Sequence, residues 1–318
     1  MHRTGWRSAL VAGVVVLTGA ACGSDGPSAV TPPVTSTESP GASTSAPAPA
    51  PTDTDTDITS PDLTTTGGQA TSTAPASEAT AAAPLPTRPP WLGQRTLPTD
   101  SDGNAPPQTT PAELADRRFA TVDLLAPPSD GQFHATVAPL EGDPLRRSTW
   151  SEGCPVGVED LRYLTLGFWG FDGLPHTGEM IVNAEVADDL VEIFRTLFEA
   201  RYPIEEMRIT TQAEVDAPPI GDGNNTGAFV CRAAVGSSKF SEHAYGLAVD
   251  INPFINPYIK GRVVLPELAA AYTDRHNLRP GMIVEGDAVV AGFDAAGWGW
   301  GGRWSSLKDY QHFSLHDR

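Results

Sequence analysis

The sequence predicts an α+β fold, a small mixed or antiparallel sheet with flanking helices and a cleft, preceded by a long disordered tether. Three observations carry this: short β-type apolar runs, one amphipathic helical period among them, and an upstream stretch almost without large apolar side chains. From Gly23 to Ala112, runs such as Ser45–Pro51 and Thr52–Asp57 are Ser, Pro, Ala, Thr and Asp. Such a segment buries too little apolar surface to offset its ordering entropy, so residues 23–112 read as a disordered linker. Residues 113–318 then form one domain, large enough to bury roughly 70% of its unfolded surface. Within it Tyr163–Phe168 reads as a strand, Asp172-Gly173 as a turn and Glu179–Val182 as a second strand. Val186, Leu190, Ile193, Phe194, Leu197 and Phe198 recur at helical spacing, and the helix must end before Pro203. Met207–Thr210 is a further short strand. Strands and helices that do not alternate regularly point to α+β rather than α/β.

The first 22 residues read as an export signal. Arg3 and Arg7 precede an apolar run from Ala9 to Leu17, which is shorter than the roughly 20 residues a membrane span needs. Leu17-Thr18-Gly19-Ala20-Ala21-Cys22 resembles a bacterial lipobox, which implies lipidation at Cys22. The expected location is the cell envelope, on the outer face of the membrane and attached only through the lipid; the alternative is cleavage near Ala21 and secretion. The net charge of −18 excludes a dedicated nucleic-acid binder, because such proteins must neutralise phosphates with basic surface. Three cysteines are too few for a disulfide-dense scaffold or a four-cysteine zinc site.

The chemistry concentrates near the C-terminus. In Ser241-Glu242-His243-Ala244-Tyr245-Gly246-Leu247-Ala248-Val249-Asp250 a histidine and an aspartate lie seven apart. On one uninterrupted strand that odd separation puts them on opposite faces. A turn at Gly246 breaks the parity, after which Leu247–Ile251 runs as an apolar strand. A carboxylate inside such a strand is costly unless paired or metal-bound. Downstream, Asp309-Tyr310-Gln311-His312 follows a segment rich in tryptophan and glycine. Two histidines and one carboxylate, with a fourth position left for water, are the ligand set of a catalytic zinc, so His243, Asp250 and His312 are the candidate Zn2+ ligands. Asp309 is placed to move the water's proton to a departing amine.

Ser241-x-His243-x-x-Gly246-x-Ala248-x-Asp250 followed by Asp309-x-x-His312 resembles the zinc D-alanyl-D-alanine carboxypeptidase family, which is related to vancomycin-resistance D,D-peptidases and phage L-alanyl-D-glutamate endolysins. The resemblance runs from about Gly153 to Phe313 and includes Phe229-Val230-Cys231-Arg232. It implies a zinc metallopeptidase acting on peptidoglycan stem peptides, with His243, Asp250 and His312 as ligands and Asp309 as general base. It also implies Arg232 as a binder of the substrate carbonyl or carboxylate and of the developing oxyanion, the alternative being a surface salt-bridge partner. Ser241 then binds substrate or orients His243, the alternative being a turn-forming hydroxyl. Carboxypeptidase action is the first expectation. An endopeptidase of L-alanyl-D-glutamate or cross-bridge type, and a non-catalytic wall-binding lipoprotein, are the alternatives. No feature calls for more than a monomer.

With Cys22 set aside, Cys154 and Cys231 leave one intrachain pairing, which exported proteins favour. The rival is Cys231 as a metal ligand. Trp298, Trp300 and Trp304 are expected to fill the core behind the site, and Asn224-Asn225-Thr226 to form a turn. His2, His134, His176, His276 and His316 sit in no matching context and are expected to be structural.

Overall fold

The computed structural model describes residues 84–100, 105–234 and 237–317. The export signal, Cys22 and most of the expected tether lie outside the described residues. In chain order come β1 (Ala135–Pro139), α1 (Gly142–Arg147), β2 (Leu161–Trp169), β3 (Pro175–Asn183) and α2 (Ala187–Glu199). There follow β4 (Glu206–Met207), α3 (Gln212–Asp216), β5 (Asn225–Thr226), β6 (Ala248–Asp250), β7 (Tyr258–Lys260) and β8 (Val263–Leu265). The chain closes with α4 (Ala288–Ala295), β9 (Gly299–Trp300), β10 (Lys308–Asp309) and β11 (His312–Ser314). Three antiparallel sheets of order β1-β2-β3, β10-β7-β8 and β6-β11-β9, with a parallel β4-β5 pair, make the fold α+β as expected. No helix among the described residues is long and apolar enough to cross a membrane.

The β2–β3 hairpin extends the two predicted strands to nine residues each, in register from Leu161↔Asn183 to Trp169↔Pro175. Its turn is the expected one: Gly173 has φ +74° and the Leu174 N–H donates to the Asp172 side chain. Alternation sends Leu164, Leu166 and Phe168 inward. Against them α2 lays Leu190, Ile193, Phe194 and Leu197, which the 3.6-residue period gathers on one face. The same core takes in Val249, Phe313, Phe293 and Trp300, so the small sheet that bears the site rests on the main hydrophobic cluster.

Two local expectations change. The strand over Met207–Thr210 shortens to β4, because the Asn225 side chain accepts from the Arg208 N–H and donates to the Arg208 carbonyl, replacing ladder bonds. Asn224-Asn225-Thr226 is not an exposed turn. Asn224 is fully buried, donating to Glu205 and accepting from the Phe254 N–H, and Thr226 Oγ1 accepts from the Asn252 N–H.

The packed structure also begins before the expected boundary. Leu97 and Ala105 are buried with Leu114 and Phe119 in a second core cluster, alongside Phe254, Leu268 and Tyr272. The Leu97 N–H donates to Pro219 O at 2.9 Å and the Gln108 N–H to Glu267 O at 2.8 Å. Residues 84–100 and 105–112, assigned to the linker by composition, therefore form a strap on the domain. Their apolar residues are too sparse to show a period, and each docks into a groove built by distant chain. Arg88 anchors the strap on the fully buried Glu205 at 3.1 Å, and Arg117, just beyond the strap, binds the same carboxylate at 2.7 Å. Glu205→Ala, which strands a buried guanidinium, is expected to lower stability by about 3–5 kcal/mol in urea unfolding. A loss below about 1 kcal/mol would show that the anchor contributes little.

Cys154 and Cys231 are joined, with Cα atoms 5.8 Å apart across a separation of 77 residues. The bridge removes Cys231 as a metal ligand. It packs beside Leu140, Trp150 and Phe229 and fixes the residue immediately before Arg232.

Candidate active site

His243, Asp250 and His312 come together: one ligand atom from each lies within 4.8 Å of the others. The three arrive by different local routes. Asp250 ends β6 and His312 begins β11, and the antiparallel register sets them directly opposite each other, with Val249 opposite Phe313. The two-residue alternation turns Val249 and Phe313 into the core, where Phe313 stacks on Phe293, and leaves Asp250 and His312 on the other face. His243 comes from a single 3-10 turn, Glu242–Tyr245. Ser241 starts that turn, its Oγ accepting the His243 N–H, and Gly246 ends it in the left-handed region at φ +71°. A Cβ at Gly246 would stand 2.5 Å from the Asn183 nitrogen, so both conformation and space require glycine there. The parity break expected from Gly246 is thus physical.

The His243 Nδ1–H donates to Ala228 O at 2.6 Å, which leaves Nε2 as the free lone pair, 3.2 Å from Asp250 Oδ2. His312 Nδ1 lies 3.1 Å from Asp250 Oδ1. Tetrahedral zinc with bonds near 2.0–2.1 Å needs donors about 3.3 Å apart; the donor types suit that ion, and each imidazole lies near that distance from the Asp250 carboxylate. Burial alone pushes the Asp250 carboxyl up, but the charge and hydrogen bonds of His243 and His312 reverse this and hold it well below the ordinary carboxylate range. A cluster that so strongly favours the carboxylate anion is suited to hold a cation.

These residues lie in a cleft of about 1030 Å³, whose lining includes Arg232, Ser241, Tyr258, Glu267, Trp304 and Asp309. Asp309 sits on β10 opposite Tyr258 and accepts from Gln311 Nε2 at 3.2 Å. Burial pushes its carboxyl up to about 7, with His312 and Arg232 pulling down and Asp250 pushing further up. Arg232 donates to Ala233 O at 3.1 Å and makes no ion pair among the described residues, so its charge faces the cleft. Ser241 caps the turn that orients His243, and its backbone N–H donates to Arg232 O, tying the two positions together.

Every candidate in the catalytic segment therefore converges, but sequence reasoning missed part of the lining. Trp298 and Trp300 are core as expected, whereas Trp304 lines the cleft with its ring 5.5 Å from that of His312. Tyr258 and Glu267 carry no local signal; the β10-β7-β8 pairing brings Tyr258 on β7, and Glu267 just after β8, to the side of Asp309. The other described histidines stay outside the three-residue group. His176 is buried between Asp123 and Asp172, His134 pairs with Asp130, and His316 pairs with Glu242.

A family model described as D-alanyl-D-alanine carboxypeptidase matches residues 235–315. The matched stretch contains His243, Asp250, Asp309 and His312 and excludes Arg232 and both bridged cysteines. It supports a zinc-type peptidoglycan peptidase family and metallopeptidase chemistry. No solved structure matches the chain.

Proposed function

We propose that this chain is an exported zinc peptidase that removes the terminal D-alanine from peptidoglycan stem peptides. The observation that carries the reading is the meeting of two imidazoles and a carboxylate beside a half-buried acid in a cleft large enough for a peptide. His243, Asp250 and His312 hold the ion. A zinc ion there supplies Lewis acidity, which makes water an effective nucleophile near neutral pH. Asp309 takes the water's proton on its carboxylate and delivers it to the leaving amine. Arg232, unpaired in the cleft, holds the carbonyl oxygen as negative charge develops. Ser241 keeps His243 in place through its cap. The lipid anchor at Cys22 and a monomeric state complete the proposal, since one chain supplies every residue named.

Digestion of defined muropeptides by the zinc-loaded full chain, followed by mass spectrometry with and without chelator, tests this. The expected product is loss of one D-alanine, abolished by chelator and restored by zinc. Internal cleavage would replace the carboxypeptidase with an endopeptidase. Retention on cell wall without any product would leave a binding protein, and cleavage indifferent to chelator would end the metal-based reading.

A further inference from the structure

Glu267 is a buried acid that the chemistry above does not use. It follows β8 in the cleft wall and is 5% exposed. Only burial and its own backbone N–H act on its carboxyl, so it sits above the ordinary glutamate value with no charged side chain to pull it back. Two other buried acids are ion-paired, Glu205 by two arginines and Glu179 by Arg147, with Tyr163 beside it; Asp222, buried outside the cleft lining, accepts the Gly93 N–H. A buried carboxyl without a charged partner lowers stability, and no ion pair reaches Glu267 among the described residues. Its position is nevertheless fixed on both sides. Its carbonyl accepts the Gln108 N–H from the strap, and the Leu268 N–H donates to Gly221 O.

We infer that Glu267 is a specificity residue whose carboxylate receives a primary ammonium group of the bound peptide. The inference rests on the peptidase reading and names a feature of its substrate. The register places Asp309 opposite Tyr258 and Tyr258 opposite Leu265. Two strand spacings amount to roughly 10 Å, and Glu267 lies two residues beyond. An extended peptide advances about 3.4 Å per residue, so the ammonium belongs about three to four residues' length from the bond being cut. The side-chain amine of a diamino acid just upstream of the terminal D-alanines meets that requirement, and so does the α-amine of a short peptide.

Calorimetric titration of the metal-free full chain, where no turnover interferes, separates the possibilities. The probes are a lysine-containing stem pentapeptide with both amines free, the same peptide acetylated on the lysine side chain, and the same peptide acetylated on the α-amine. One acetylation is expected to weaken binding to the wild type about tenfold, and which one identifies the amine. In Glu267→Gln, which keeps shape and removes charge, that difference is expected to fall below about twofold. Equal binding of all three probes to the wild type overturns the inference whether or not the variant folds. Survival of the difference in Glu267→Gln, or no binding of any probe, overturns it as well. Hydrolysis by the zinc-loaded enzyme is scored separately. Amine discrimination without cleavage sinks the peptidase reading and leaves Glu267 assigned, whereas cleavage indifferent to acetylation and to Glu267→Gln sinks only the assignment.

Discussion

Asp309→Ala is expected to lower kcat by about 10²–10⁴-fold while the protein keeps one zinc, because the substitution removes the proton carrier and none of the three donors. Metal analysis and muropeptide digestion on the same sample check this, and near-normal activity would remove Asp309 from the mechanism. Asp309→Asn adds a readout of the carboxyl's protonation in the folded state. The folded carboxyl sits at about 7, above the roughly 4 of an unfolded aspartate. A raised carboxylate pKa stabilises the fold at low pH, and that stabilisation is lost as pH rises from about 4 through about 7. The metal-free wild type is therefore expected to lose stability relative to Asp309→Asn across that window, measured by urea midpoints at several pH values. A cation bound beside Asp309 counters the effect, so the gap between the two proteins narrows on zinc addition.

His243→Ala is expected to lose both metal and turnover. Outer-shell changes at zinc sites reduce affinity by about 10–100-fold, and deletion of a donor reduces it more. The loss should not be general unfolding. His243 sits on a short turn held independently by the Ser241 cap and by Gly246, and its neighbours in β6 are bound into the core through Val249. Zinc binding by competition with a chromophoric chelator and thermal melting of the metal-free proteins separate the two explanations. Equal zinc affinity in wild type and variant would remove His243 from the ligand set. The Asp309 and His243 variants form a pair: both lose activity, and only one loses the ion.

The α+β character was legible because each main element has a short-range signature. Leu164, Leu166 and Phe168 alternate, and Leu190, Ile193, Phe194 and Leu197 repeat on a helical face. The candidate metal-binding group was legible because aspartate within an apolar strand and histidines in a fixed pattern are costly arrangements that chemistry explains better than packing does. The strap escaped notice for the opposite reason. Leu97 and Ala105 lie in proline-containing surroundings with no periodicity, and their burial depends on residues more than 100 positions away. Trp304 and Trp300 share one tryptophan-rich run, yet one lines the cleft and the other fills the core, a split set by the course of the backbone through Gly301–Arg303.

What the sequence determined by itself is the inventory: two imidazoles, a carboxylate, a nearby acid, a glycine able to turn left-handed, and one possible disulfide. Those follow from residue identity over a few positions, where backbone geometry is short-ranged and each side chain carries its own chemistry. What only the tertiary structure decided is adjacency. Asp250 meets His312 through the β6–β11 register, Asp309 meets Tyr258 through β10–β7, and Glu267 is left alone in the wall by the strap and the Pro219–Gly223 segment. Contacts between distant segments are selected by how much apolar surface the whole chain buries, and no window of local sequence contains that quantity.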